Sequence, residues 1–394
     1  MSTAKKSVAG AGLVLMALCL NNAAPNYLQY QISPIAMQVM ETYKISMEQY
    51  SSLFTSPMIP AILFSLIVGL LFDKLGPVKV MRFGVLIAAI GGFVRLYTGG
   101  GYTALFVGTL MTGFSAAFIN AGQAKIVAGF YPLEQIQSKI GLINASSTAA
   151  MIITMATTAY FSSVSTAFLV AAVFMAAAAI SWFLFGKNPE TNEAHAEPVQ
   201  KSFGELMKAS ASSRQVWLMA FSLFCVLAGQ VVMSSWAPTA LQSVGMAATT
   251  AGYMGSLYTV GNFISCFLGP ILAGKLRSIR KVILIFGIVA VVGLIFSWKI
   301  SNPILCGVMM ILTGIAIGGN IPLAMGDIIN FKGIGPEYVG TASGLVATIQ
   351  LIGAVVLPSY VLIPIASGNF NTLFILAAAC MAISAVLGYL AHSN

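Results

Sequence analysis

Charged residues are scarce in this chain. Only 7% of its 394 residues are Asp, Glu, Lys or Arg, whereas 58% are hydrophobic. A soluble domain carries about 25% charged residues, so the composition excludes a soluble globular enzyme, a disordered protein and a disulfide-stabilised scaffold. The 38 glycines and the long runs without charge are typical of a polytopic helical membrane protein. At roughly 20 residues per span, the chain is long enough for about twelve spans.

Residues that perform chemistry are also sparse. The two histidines, His195 and His392, lie in a polar stretch and at the C-terminus, so neither is expected to relay protons inside a membrane. The five cysteines lie in apolar runs and form no Cys-x-x-Cys pair, which favours packing roles. The sequence shows no nucleotide-binding GxxxxGK[ST] loop, and no filter motif or charge ring of a channel. We predict no cofactor, no ATP-driven step and no enzymatic activity.

Twelve apolar runs lie along the chain. The longest polar stretch separates the sixth run from the seventh, which predicts two six-helix bundles at 1–187 and 214–394, joined by a linker at 188–213. The expected fold class is therefore all-α, with twelve transmembrane helices in two pseudo-symmetric bundles. The runs are 9–31, 48–72, 78–98, 103–129, 138–161, 166–186, 215–237, 249–274, 280–299, 303–326, 340–363 and 370–391.

Lys and Arg are distributed unequally between the two sides of the membrane. If the N-terminus is cytoplasmic, sixteen of the 19 basic residues fall on the inner side, and only Lys44, Arg95 and Lys299 fall on the outer side. This bias predicts that both termini and the linker are cytoplasmic, in a plasma membrane of the bacterial inner-membrane type. The net charge of +9 then reflects topology, and no nucleic-acid partner is expected.

Two features of the predicted cytoplasmic side concern the linker and the inner end of the tenth span. Phe203, Leu206 and Met207 share one helical face in the linker, which fits either a short interfacial helix or a solvated tether. Asp327, at the inner end of the tenth span, is expected to join a charge network with Lys332 or the basic loops.

The two halves of the chain resemble each other at an offset of about 200 residues. A Gly-containing basic loop follows the second span at 69–79 and the eighth span at 269–281. Glu134 and Glu337 each precede a glycine by seven residues. Duplicated six-span halves indicate a transporter built around a pseudo-two-fold axis.

The loop after the second span, GLLFDKLGPVK, resembles the signature loop of the major facilitator superfamily. Gly69, Asp73, Lys74 and Gly76 stand at the family's spacing, and in the degraded second copy Ala273 replaces the acid. The resemblance extends over the whole chain through the span count and the linker. It implies alternating access, in which the two bundles rock about a central site. It also implies a gating role for the four residues, with Asp73 holding the halves together on the cytoplasmic side; for Lys74 a purely topological role is the alternative.

The chain departs from the pattern of proton-driven drug exporters. Many such members carry an Arg in the fourth span four residues before a glycine, but here Thr109 precedes Gly113. The first span also lacks an acidic residue. These differences argue against a simple drug/proton antiporter.

Polar side chains at membrane depth are the candidates for solute contact, because unpaired polar groups in hydrocarbon are costly. In the first span, Asn22, Asn26 and Tyr30 share one face around Pro25. For the amides, hydrogen bonding between helices is the alternative. The further candidates are Asn120, Gln123, Lys125, Gln230, Tyr258, Asn262 and Gln350.

The chemistry of these candidates favours a small organic anion, such as a carboxylate, as the substrate. Lys125 lies in an apolar run beside Asn120 and Gln123, where it either extends to the headgroups or supplies positive charge to the solute. Arg95 has the same two interpretations on the outer side, and extension to the headgroups is the favoured one. The alternatives are a neutral or quaternary-ammonium metabolite held by aromatic faces, and multidrug efflux. The expected partners are the small-molecule substrate, the lipid bilayer, and a coupling ion or counter-substrate, with a monomer as the functional unit.

Overall fold

The computed structural model describes residues 10–187, 203–331, 334 and 338–392. Within these ranges all regular secondary structure is helical, which confirms the predicted all-α class. The chain divides into two compact units, Met1–Ala194 and His195–Asn394, called unit 1 and unit 2 below.

In unit 1, the described residues form the helices α1 to α8. A short 3₁₀ turn, Ser56–Met58, joins α3 to α4. One proline lies at the start of this turn and one at the start of α4, where a proline does not interrupt a helix. Helix α2, between the first two predicted spans, is an addition that the apolar runs do not predict. The bounds are α1 Ala11–Tyr30, α2 Ala36–Tyr43, α3 Met47–Thr55, α4 Ile59–Leu75, α5 Pro77–Val94, α6 Gly101–Phe130, α7 Leu133–Thr157 and α8 Val164–Phe185.

In unit 2, the described residues form α9 to α17. Helix α9 lies in the predicted linker, and its sequence includes Phe203, Leu206 and Met207. A π-helical segment, Leu357–Leu362, connects α15 to α16. The bounds are α9 Phe203–Ser212, α10 Arg214–Ser243, α11 Ala248–Leu276, α12 Ile279–Phe296, α13 Pro303–Gly318, α14 Asn320–Asp327, α15 Val339–Val356, α16 Ile363–Ala366 and α17 Phe370–Ala391.

Nine helical stretches of the described chain are long and apolar enough to cross a membrane. Three more, α1, α3–α4 and α5, lie where the first three spans are predicted, so every predicted span has its helix. The lipid-facing character is visible in large apolar side chains on the surface of both units, such as Leu184 at 67% and Ile288 at 65% exposure. Such a surface is stable in hydrocarbon because each helix satisfies its own backbone hydrogen bonds.

Equivalent glycine contacts in the two units support the internal repeat. A Cβ atom on Gly113 of α6 would overlap the carbonyl oxygen of Pro57 at the α3–α4 junction. A Cβ atom on Gly314 of α13 would overlap the carbonyl oxygen of Tyr258 on α11. The second pair, Tyr258 and Gly314, follows the first pair, Pro57 and Gly113, at the offset of about 200 residues that relates the two halves. Each unit therefore brings two helices into backbone contact at the same position, as small residues allow in membrane proteins.

Candidate solute-binding site

The polar residues of α1 make hydrogen bonds and ring contacts with other residues of unit 1. The side-chain amide of Asn22 donates to the carbonyl oxygen of Ile143 on α7 at 3.0 Å. The amide of Asn26 donates to the carbonyl oxygen of Asn22 at 2.8 Å, and Asn26 is half-buried. Tyr30 is 6% exposed, with its ring 5.3 Å from that of Phe54. For Asn22, the structure thus shows the interhelical hydrogen bond that the sequence leaves as the alternative.

Three further amides of the same region bind backbone carbonyl groups of neighbouring helices. Asn21 donates to Ala178 on α8 at 2.7 Å, Gln29 donates to Phe54 on α3 at 2.9 Å, and Gln31 donates to Ala167 on α8 at 3.0 Å. All three side chains are buried. The polar residues in and just after α1 therefore hydrogen-bond three neighbouring helices, α3, α7 and α8, and so stabilise the packing of unit 1.

A groove of about 520 Å³ runs between α1 and α7. Its wall is almost entirely apolar. The hydroxyl of Ser146 donates to the carbonyl oxygen of Cys19 across it at 2.9 Å. The groove offers volume but no charge. It is lined by Gly12, Leu15, Met16, Cys19, Leu142, Ala145, Ser146 and Ala149.

Helix α6 presents its three candidates in different ways. Asn120 and Lys125 are exposed on unit 1, whereas Gln123 is half-buried. The side-chain oxygen of Gln123 is buried and has no hydrogen-bond partner in the described residues. Among the candidates on α6, Gln123 is thus the amide with an unpartnered oxygen, and Lys125 lies two residues further along the helix.

Helix α11 packs so closely on α13 that Asn262 is confined. Its amide nitrogen donates to the carbonyl oxygen of Tyr258 at 3.3 Å, while its side-chain oxygen lacks a partner among the described residues. A Cβ atom on Gly318 of α13 would overlap that oxygen. Tyr258 is 1% exposed. Both residues lie at the helix crossing that Gly314 permits.

Gln230 on α10 and Gln350 on α15 are two further candidates with an unpartnered side-chain oxygen in unit 2. Both are half-buried, and the side-chain oxygen of each is buried without a hydrogen-bond partner in the described chain. The two helices are in direct contact, because Gly353 lies against Phe224 so tightly that a Cβ atom would be 2.5 Å from its carbonyl oxygen. Two free carboxamides thus lie on neighbouring helices of one unit.

The predicted gating loop contains a tight turn whose backbone conformation requires a glycine. Gly76 has φ 79° between the end of α4 and Pro77, the first residue of α5, and this backbone conformation favours glycine. The backbone of Gly69, Asp73 and Lys74 lies within α4, but their side-chain environment is outside what the structure describes. The role of Asp73 stays a prediction.

A contact between a histidine ring and a carboxylate, which the sequence does not predict, joins α14 to the end of α17. His392 Nε2 lies 2.8 Å from Asp327 Oδ2, and the ring Nδ1 lies 2.7 Å from the carbonyl oxygen of Gly388. Asn330 donates to the other carboxylate oxygen at 2.6 Å, and the Arg280 guanidinium donates to the His392 carbonyl oxygen. Lys332, the partner that the sequence analysis expects for Asp327 beside the basic loops, lies outside the described residues. A pocket of about 540 Å³, also lined by Arg277 and Ser278, adjoins the pair.

The His392–Asp327 pair predicts a measurable coupling in stability. Each ring nitrogen faces an acceptor, so removal of the ring leaves a carboxylate that is 13% exposed without its partner. We expect His392→Ala to reduce the free energy of unfolding by about 1–2 kcal/mol. A double-mutant cycle with Asp327→Asn should give a coupling near 1 kcal/mol, whereas the exposed Lys281→Ala should change little. Additive effects in the cycle would contradict the pairing.

Arg95 differs most from the sequence-based expectation. Instead of extending to the headgroups, its side chain is 1% exposed. The guanidinium carbon lies 4.2 Å from the centre of the Phe168 ring on α8. The expectation was wrong because it considered only the position of Arg95 at the end of α5; helix α2, which covers this end, is not visible in the apolar pattern.

These features together define a class of protein. The chain forms two units of helices with apolar surfaces, and each unit has its own copy of the close glycine contact. Each unit also contains at least one half-buried glutamine whose side-chain oxygen has no partner in the described chain. That combination is typical of a multi-pass membrane protein that transports small solutes.

The family follows from comparison of the sequence with known proteins. Residues 19–358 match the family model of the Major Facilitator Superfamily, and the chain belongs to that superfamily. It is similar to the uncharacterized transporter YycB of Bacillus subtilis (strain 168), with 24% identity over 365 residues that cover 89% of this chain and 84% of the relative.

Solved structures of superfamily members share the fold. The nucleoside transporter NupG aligns with a TM-score of 0.74 at 15% identity, over 97% of this chain and 99% of the other. A bacterial homolog to the human lysosomal transporter Spinster, in an inward-facing and unoccupied conformation, aligns with a TM-score of 0.73 at 14% identity, over 98% of this chain and 96% of the other. The shared fold is consistent with the twelve predicted spans.

Proposed function

We propose that this transporter moves a small organic anion, such as a carboxylate, across the plasma membrane by alternating access. The observation that carries the proposal is the set of uncommitted glutamines. Gln123 on α6, Gln230 on α10 and Gln350 on α15 each have a buried side-chain oxygen without a partner in the described chain. Buried polar atoms are normally hydrogen-bonded, so these three amides are available for a transported solute.

A carboxamide donates to a carboxylate through its two N–H groups, while its unpartnered oxygen accepts a hydrogen bond from a hydroxyl group of the same solute. Lys125 supplies the opposite charge. Lys125 lies two residues from Gln123 on α6 and is exposed on unit 1. Hydrogen bonds to an ionised group are roughly twice as strong as neutral ones. On unit 1, a cation and an amide of the same helix support recognition of an anion that also bears hydroxyl groups.

A neutral solute rich in N–H and O–H donors is the second candidate. The buried, unpartnered atoms of Gln123, Gln230 and Gln350 are all oxygens, which accept hydrogen bonds. Such a solute would satisfy them without a charge. Uptake into proteoliposomes, measured with carboxylates and with neutral polyols and nucleosides, separates the two candidates: saturable uptake of the neutral compounds only would reject the anion proposal.

Gln350 provides the test within the site. Gln350→Leu should raise the KM for the transported solute about tenfold, because one hydrogen bond to a charged group is lost, with little change in folded yield. Thr348→Val, on the same helix and exposed, should leave KM unchanged because its hydroxyl only donates to the Gly344 carbonyl oxygen of its own helix. Equal KM values for both variants would remove Gln350 from the site.

A further inference from the structure

Helices α10 and α17 of unit 2 run antiparallel and touch along their whole length. Three contacts, near the start, in the middle and near the end of α10, fix how the two helices are aligned. They are Gln215 Nε2 to the Ala391 carbonyl oxygen at 2.9 Å, Ser222 Oγ to the Ser384 carbonyl oxygen at 2.9 Å, and the Trp236 ring to the Phe370 ring at 6.0 Å. Between successive contacts the two helices advance by equal steps in opposite directions (215 to 222 against 391 to 384, then 222 to 236 against 384 to 370), so the alignment is constant along the interface.

This alignment places two cysteines next to each other, one turn beyond the serine contact. Cys225 follows Ser222 by three residues on α10, and Cys380 precedes Ser384 by four residues on α17. The side chains of the two cysteines are hydrogen-bonded to each other. Two thiols from different helices therefore lie within reach of one another inside unit 2.

Glycines bring the two backbones close on both sides of the thiol pair. A Cβ atom on Gly229 of α10 would lie 3.0 Å from Met381 Sδ on α17. A Cβ atom on Gly388 of α17 would lie 3.1 Å from the Ser222 hydroxyl oxygen. Small residues allow membrane helices to approach in this way. A disulfide joins Cα atoms about 4.4–6.8 Å apart, a separation that only closely packed helices reach.

The surrounding lipid is the medium from which a reagent reaches the pair. Both thiols are half-buried. On the same helix faces, Phe221 is 47% exposed and Ile383 is 53% exposed, as in a surface that contacts acyl chains. Cys225 lies eleven residues beyond Arg214, the first residue of α10, or roughly 16 Å along the helix. A reagent that dissolves in hydrocarbon therefore has access to the pair, whereas charged, water-soluble thiols such as glutathione do not.

We propose that Cys225 and Cys380 form a redox-active dithiol, which an organic hydroperoxide dissolved in the membrane oxidises to a disulfide between α10 and α17. One sulfur attacks the terminal peroxide oxygen; the O–O bond breaks, the alcohol leaves with the thiol proton, and a sulfenic acid remains. The second thiol attacks this sulfur; the S–S bond forms, the S–O bond breaks, and the hydroxyl group leaves as water with the second proton. The two thiols together lose two electrons, and the hydroperoxide is reduced to an alcohol and water.

A count of free thiols tests the proposal on the full-length chain in lipid nanodiscs. The protein is exposed to tert-butyl hydroperoxide, denatured, and labelled with a maleimide that adds a fixed mass per thiol. We expect the labels to fall from five to three, because the chain has five cysteines and the disulfide removes two. Dithiothreitol added after denaturation should restore all five. Peptide mapping should show Cys225 linked to Cys380, and oxidation should raise the unfolding midpoint, because a cross-link restricts the unfolded chain.

Single variants test the pairing. In Cys225→Ser and Cys380→Ser, oxidation should leave the unfolding midpoint unchanged, and the variant that retains the attacking sulfur should keep a sulfenic acid that a dimedone probe labels. Cys266→Ser is the matched control, because the Cys266 thiol donates to the Asn262 carbonyl oxygen of its own helix at 3.6 Å; it should form the full cross-link. Alanine replaces serine if a variant does not fold. Absence of the linked peptide in the oxidised wild type, or linkage of other cysteines in its place, would overturn the proposal.

Discussion

Gly314→Ala is expected to destabilise the transporter by about 2–3 kcal/mol, and Gly113→Ala by a similar amount. A methyl group at Gly314 would overlap the Tyr258 carbonyl oxygen and come within 3.0 Å of the backbone of Gly261 and Asn262. Because the obstacle is backbone and not a flexible side chain, α13 must move away from α11. Overpacking of this kind typically costs about 1–3 kcal/mol, and more where relaxation is blocked. At Gly113 the obstacle is the backbone of Pro57.

Gly141 and Gly344 provide controls at another pair of repeat positions. A Cβ atom at either position would meet nothing within 4 Å. Since alanine favours the helix, each Gly→Ala change there should be neutral or stabilise by about 0.5–1 kcal/mol. Unfolding in mixed detergent micelles and the yield of monodisperse protein measure the four variants. Equal effects at all four glycines would contradict the close helix crossing.

The same pair of crossings shows how far the sequence predicts the fold. Runs of apolar residues about 20 long predict where each helix lies, because hydrocarbon thickness imposes the length. The offset between the halves predicts that contacts recur. Neither observation identifies which glycine makes the contact: Gly113 and Gly141 look alike in the sequence, and only packing distinguishes them. Helix α2 was missed because a short surface helix does not have to meet the length that the membrane imposes.

The candidate site was predicted less completely, for a different physical reason. Polarity at depth identifies residues such as Asn22 and Gln350 equally well. An amide can hydrogen-bond a neighbouring helix or a solute, and the choice depends on which carbonyl group lies within 3 Å. Asn22 reaches Ile143, whereas Gln350 has no partner in the described chain. Contacts between distant segments, such as that of His392 with Asp327, leave no local pattern in the sequence.

Lys125→Gln should abolish high-affinity transport of an anionic solute. In the proposed site, Lys125 is the cation next to Gln123, and no second basic residue lies beside it on α6. Loss of a charge-assisted hydrogen bond costs about 1.5–3 kcal/mol, which corresponds to roughly 10- to 100-fold in KM. The measurement is carboxylate uptake into proteoliposomes at several ionic strengths, because attraction between an exposed lysine and an anion weakens as salt is added.

The control for Lys125 is Lys79→Gln, which removes an exposed lysine from the first turn of α5. It should leave KM unchanged, so a drop common to both variants would indicate a general effect of positive charge on the surface. Lys125→Arg keeps the charge and should restore most of the affinity if charge, and not the shape of the ammonium group, recognises the solute. An unchanged affinity of Lys125→Gln for the carboxylate would exclude Lys125 and leave the neutral solute with hydrogen-bond donors as the substrate that the glutamines recognise.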